Sequence, residues 1–144
     1  ANSAISRRAW ETHRFDEKIT GLEDMDLAKR LINDGGRVCY VPQSTVIHYH
    51  TETWPQVKRR FEREAIALKK IMPQVHVSLF DTLRYTASSI FNDWMCAWHE
   101  KVWKRKAVEI VFYRWNQYFG AFKGNHENRE LSRKEKEKYY FPYQ

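Results

Sequence analysis

The sequence has 144 residues, 42% of them apolar and 15% aromatic, one domain's worth of chain with enough apolar surface for a core, which excludes wholesale disorder. A formal charge of +7 and a pI near 9.5 favour an anionic partner, whether nucleic acid, acidic lipid head groups or a phosphorylated substrate. Cys39 and Cys96 lie far apart, without zinc spacing or the density of a secreted disulfide scaffold, so a reducing, cytosolic setting is the default. No run approaches the roughly eighteen apolar residues of a spanning helix, and no basic-then-apolar signal peptide opens the chain, so membrane contact is expected only as a peripheral one.

The opening, ANSAISRRAW, lacks a methionine and reads as chain interior, which suggests a fragment. A short extended piece is expected near Ala4 to Ser6, then a loop around Asp16 to Gly21. A helix follows from about Asp24 to Asn33, with Leu27, Arg30 and Leu31 at helical spacing and Asp34, Gly35 and Gly36 as its stop. Arg37 to Val41 and Thr45 to His50, rich in β-branched and aromatic residues, read as two short strands around a turn at Pro42, Gln43 and Ser44.

After Trp54 the pattern becomes helical. One helix begins at Pro55, carries Val57, Phe61, Ala65, Leu68 and Met72, and ends at Pro73. A second opens at Ser78 with Asp81 as its capping partner and sets Leu83, Ala87, Ile90, Trp94 and Trp98 along one face. In a third, Val108, Val111, Phe112, Trp115, Phe119 and Phe122 form the stripe, and Gly120 and Gly124 read as its fraying end. From Asn125 the chain is polar with mixed charge up to the aromatic YYFPY, and much of this tail is expected to be mobile.

Two groups of residues carry candidate chemistry. Glu23, Asp24 and Asp26 open the first long helix behind the loop Thr20, Gly21 and Leu22. Acids there cap free N–H groups, or one caps while another works; hydrogen bonds from the helix end would lower a carboxylate's pKa, so a catalytic acid should point away toward a substrate. His48 and His50, two apart on a strand, share a face and could reach one metal ion or one phosphate, or be surface residues only; no third ligand lies nearby in sequence.

The ordered set NSAISRRAWE and FDEKITGLEDMDLAKRLINDGGRVCYVPQSTVIHYH resembles the acceptor-side half of a family 2 glycosyltransferase of the GT-A fold, over Asn2 to about Trp54. The resemblance implies an α+β, mostly α chain: the remnant of a GT-A α/β domain, with one helix and two or three short strands, followed by about three amphipathic helices. It implies three segments, an acceptor-side catalytic part at 1–54, a helical extension at 55–124 and a polar tail at 125–144. Asp24 matches the base that deprotonates an acceptor hydroxyl, with Glu23 beside it and Asp26 and Gly21 on the acceptor side. A divalent ion, Mn or Mg, would neutralise the departing diphosphate, with His48 as its ligand and His50 as the alternate. The nucleotide-binding half with its DxD motif has no counterpart here, because Asp24, Met25 and Asp26 occupy the ED position instead; this chain alone is expected to be inactive.

The helical remainder, FYRWNQYFGAFKG in particular, resembles the C-terminal extension of bacterial family 2 enzymes that build cell-surface polysaccharide. That implies a nucleotide-sugar donor, a saccharide or lipid-linked acceptor, inversion of the sugar only through the family, and a cytoplasmic location, either free or peripheral at the inner face of the membrane. The basic, aromatic-rich stretch His99 to Gly124 suits an anionic bilayer surface; its rings could equally be core and its charges a solvated face. Bare surfaces would favour self-association. The rival reading is a nucleic-acid-binding or interaction module of basic helices with interleaved rings, against which Glu23, Asp24 and Asp26 argue, so no nucleic acid is expected.

Overall fold

The computed structural model describes residues 3–47 and 51–127, and every regular element among them is a helix: α1 Arg7–Thr12, α2 Glu23–Asn33, α3 Trp54–Ile71, α4 Leu79–His99 and α5 Trp103–Asn125. The chain divides into two compact units, Ala1–Thr51 and Glu52–Gln144.

In the first unit, Ser6 caps α1, its hydroxyl accepting the Ala9 N–H at 3.2 Å. Arg7 and Glu11, four residues apart, pair across the helix surface at 2.9 Å. The chain then folds back along α2. His13 Nε2 sits 2.7 Å from Asp34 Oδ2 at the end of α2, and Arg30 Nη2 donates to the Arg14 carbonyl at 2.7 Å. Helix α2 stops as its glycines require: Gly35 takes φ 78°, and the Gly36 N–H returns to the Leu31 carbonyl at 2.8 Å.

The expected α+β class, with two or three strands, is overturned: among the described residues no strand forms. The turn at Pro42 to Ser44 is there, closed by the Ser44 N–H to the Val41 carbonyl at 3.1 Å and by Thr45 Oγ1 to the Pro42 carbonyl at 2.9 Å. Among their described residues the flanking segments form no ladder. Val38, Tyr40, Val41, Val46 and Ile47 stand exposed, Tyr40 at 89%. Strand propensity reflects side chains packing on a half-buried surface, and a lone two-stranded ribbon with no further strand or helix beneath it is marginal in water. The last three residues of the second expected strand, and the tail beyond residue 127, lie outside the described residues.

In the second unit α5 packs against both α3 and α4. Helix α3 opens with Thr53, whose N–H donates to Gln56 Oε1 at 2.8 Å, and Pro55 in its first turn. It ends at Met72, just before Pro73. Helix α4 opens on the expected Ser78 and Asp81 pair: the Asp81 N–H donates to Ser78 Oγ at 3.1 Å, and Asp81 Oδ2 accepts the Ser78 hydroxyl at 2.6 Å. The Ser78 hydroxyl and then the Ser78 N–H, both donating to Asp81 Oδ2, hold its carboxyl below the usual range.

Gly120 and Gly124 are not a fraying end. Both are buried inside α5, where a Cβ at Gly120 would strike the Lys58 carbonyl and one at Gly124 the Glu62 carbonyl, so their bare backbones let α3 approach. Lys123 Nζ meets the buried Glu62 carboxylate at 2.7 Å beside this contact. Asn125, the last residue of α5, is buried too; its amide donates to the Val75 carbonyl at 3.1 Å and accepts the Val77 N–H at 3.0 Å, tying down the loop between α3 and α4.

The α4–α5 contact combines aromatic pairs, Tyr85 on Tyr118 and Trp94 and Trp98 against Trp103, with polar ones. Arg114 forks onto both Asp93 oxygens at 2.6 and 2.9 Å, Ser89 Oγ lies 2.7 Å from the Tyr118 hydroxyl, and Trp94 Nε1 donates to the Ala107 carbonyl at 3.1 Å. The Asp93 hydrogen bonds push the Arg114 guanidinium above its ordinary pKa. Helix α4 therefore buries Thr82, Thr86 and Ala97, and not the expected Leu83 and Trp98, which are exposed. Among the described residues no helix is long and apolar enough to cross a membrane.

Candidate functional site

Helix α2 begins with an unusual residue. Leu22, its N-cap, lies in the left-handed region at φ 57° and ψ 30° and offers no side-chain cap to the free N–H groups behind it. A branched L-residue there costs about 1 kcal/mol or more, strain of the kind found where the backbone must deliver a side chain to a set position. The residue before it, Gly21, is half-buried, and Thr20 is buried with a hydroxyl that meets no protein partner.

The three acids that follow do different things. Asp24 is exposed; its Oδ1 accepts the Met25 N–H at 2.8 Å, and among the described residues no cation pairs with it. Glu23 is exposed beside it. Asp26 is held: its Oδ2 accepts from Arg30 Nε at 2.8 Å, and the same guanidinium reaches back to the Arg14 carbonyl. The expected division between a capping and a working acid is not seen: Asp24 itself accepts a first-turn N–H with one oxygen while its carboxylate stays exposed, and Asp26 braces the unit through Arg30.

That geometry suits proton abstraction. A carboxylate fixed at one oxygen holds the other in a set direction, ready for a hydroxyl at hydrogen-bond distance, about 2.6–3.2 Å. His48 and His50 lie outside the described residues. Among the described residues no group of three or more His, Cys, Asp or Glu side chains is placed to hold a metal ion.

Sequence reasoning missed α1 and the brace it begins. The available signals were Ser6 ahead of a helical run, the Arg7 and Glu11 spacing, and Arg30 four residues after Asp26. It missed Asn125 as well, because an asparagine at a helix end ordinarily reads as a terminator.

No family model matches the chain, and no curated protein or solved structure matches it.

Proposed function

We propose that this chain is the acceptor-side part of a glycosyltransferase that moves a sugar from a nucleotide-sugar to a saccharide or lipid-linked acceptor, with Asp24 as general base. The reading rests on the ordered resemblance of residues 2–54 to family 2 enzymes, and the observation that carries it is Asp24 itself: exposed, docked at one oxygen and, among the described residues, in no ion pair, behind a strained Leu22.

In this mechanism the free Asp24 oxygen accepts the proton of an acceptor hydroxyl as that oxygen attacks the anomeric carbon. The new C–O bond forms while the bond to the nucleoside diphosphate breaks, and the diphosphate leaves with the electron pair. Glu23 borders the acceptor, Gly21 gives it room, and Asp26 keeps α2 in register through Arg30. A divalent ion would stabilise the diphosphate charge; every step assigned to the described residues is a matter of orientation and proton transfer.

The test is release of nucleoside diphosphate from nucleotide-sugars by the natural full-length protein, with a lipid and oligosaccharide extract as acceptor. Asp24→Asn is expected to lower turnover by about 10²-fold or more with little change in unfolding temperature, a general base's usual worth. Full activity in that variant, or no turnover of any nucleotide-sugar by the intact protein, would overturn the proposal.

A further inference from the structure

We propose that the α4–α5 hairpin carries a docking face for an anionic lipid bilayer, with aromatic side chains from both helices entering the interface and unpaired cations at its edge. This inference does not rest on the transferase reading.

The first observation is which residues face out. On α4, Phe80 is 72% exposed, Phe91 62% and Trp98 67%; on α5, Val108 is 68% and Trp115 50% exposed. Phe80, Phe91 and Trp98 follow each other at eleven and seven residues, close to whole numbers of helical turns, and so form one line about 27 Å long at 1.5 Å per residue. Val108 and Trp115, seven apart, form a second line on α5.

Both lines lie on the same side of the hairpin. The opposite side is an open groove lined by Asp93, Cys96 and Glu100 of α4 and by Lys106, Glu109 and Tyr113 of α5. Helix α3 also packs on that side, through Phe61 against Tyr113 with ring centroids 6.2 Å apart. On α4, Asp93 and Ala97 face α5. About a quarter turn one way lies Cys96, in the groove, and more than a quarter turn the other way lie Phe80, Phe91 and Trp98. On α5, which runs back antiparallel, Val108 and Trp115 fall about a quarter turn from Ala107 and Arg114, away from Glu109 and Tyr113.

Charge is divided in the same way. The carboxylates of these helices are engaged elsewhere: Asp81 in its cap, Asp93 with Arg114 and Glu109 with Lys106 at 2.6 Å. Arg84, Lys104 and Arg105 are exposed; Arg84 lies close enough to Asp81 to favour its charged form, and among the described residues Lys104 and Arg105 make no ion pair with a carboxylate.

This complement selects the occupant. A second copy docking through a twofold axis would set the patch on itself and bring these cations toward their own duplicates. An anionic head-group layer attracts them, and Trp and Phe side chains partition into its boundary with the acyl chains. Neither helix is apolar enough to go deeper.

The experiment is co-sedimentation of the full chain with phosphatidylcholine vesicles made with and without phosphatidylglycerol, alongside tryptophan emission. Binding is expected only with phosphatidylglycerol, with a blue shift and with loss at high salt. Lys104→Glu with Arg105→Glu should lower partitioning by about thirtyfold or more, each cation being worth about fivefold at such a surface. Phe91→Ser with Trp98→Ser should lower it by about tenfold or more, both variants keeping the parent's circular dichroism because the altered side chains are mostly exposed. Equal binding by parent and variants, equal binding to uncharged vesicles, no binding, or a dimer in sedimentation velocity that the Phe91 and Trp98 variant dissociates would each overturn the proposal.

Discussion

Gly124→Ala sets two effects against each other. In a helix interior, replacing glycine by alanine stabilises by about 1 kcal/mol, because the glycine backbone has more freedom to lose on folding. Here the added methyl would overlap the Glu62 carbonyl oxygen of α3 and come within 2.9 Å of the Ala65 Cβ, where ordinary contact begins near 3.4 Å. The obstacle is backbone, which cannot rotate aside, so α3 and α5 must separate by about half an ångström or more. Overpacking of this kind costs about 1–3 kcal/mol, and a backbone partner places this case at the upper end. The expected net loss is about 1–2 kcal/mol, with Gly120→Ala, facing the Lys58 carbonyl, similar in sign. Denaturant unfolding of the full chain followed by far-ultraviolet circular dichroism reads it as a fall in midpoint at constant slope. A rise of about 1 kcal/mol would mean that propensity alone governs and that α3 and α5 do not approach closely here.

Asn125→Ala removes both partners of the Val75 carbonyl and Val77 N–H and should cost about 2–3 kcal/mol in the same assay, whereas loss under about 0.5 would show that solvent already satisfies that loop. Because the folded Asp81 carboxyl is held below its ordinary range, its contribution is complete above the unfolded value near pH 4 and is lost as pH falls through the lower folded value; Asp81→Asn should flatten the acid limb of a thermal-stability profile there, and an unchanged limb would remove Asp81 as its source. At Leu22, Val should destabilise more than Gly by about 1 kcal/mol or more, since a β-branched residue tolerates a positive φ least; equal effects on unfolding temperature would deny the left-handed cap.

Helix positions were legible in the sequence because their signals are local. Pro55, the Ser78 and Asp81 pair, Pro73 and the glycines at 35 and 36 all act within one turn of the boundary they mark. Helix faces were less legible. Helix α4 carries apolar side chains around most of its circumference, so the stripe through Leu83 and Trp98 was no better defined than the small, polar face of Thr82, Thr86 and Ala97 that packs on α5. The choice between them was made by Arg114, Tyr118 and the Ala107 carbonyl on another helix, beyond any local window. Gly120 and Gly124 had the same ambiguity: glycine ends a helix or admits a neighbour, and the neighbour's carbonyls are decided by the tertiary fold.

The strands show the same limit from the other side. Val38, Tyr40, Val41, Val46 and Ile47 have the composition of strands, but a ladder needs partners and a surface to cover, and among the described residues neither is present. The α2 acids need no such partner, and which of them meets a side chain was already written in their spacing. Four residues after Asp26 stands Arg30, a cation in reach on the same face, whereas four after Asp24 stands Ala28 and four after Glu23 stands Leu27. Asp26 is therefore the acid that a helix side chain engages, whereas Asp24 accepts the Met25 backbone N–H at one oxygen. The proton-transfer role proposed for Asp24 rests on that local arrangement, while its proposed imidazole neighbours depend on how the chain beyond Ile47 is placed.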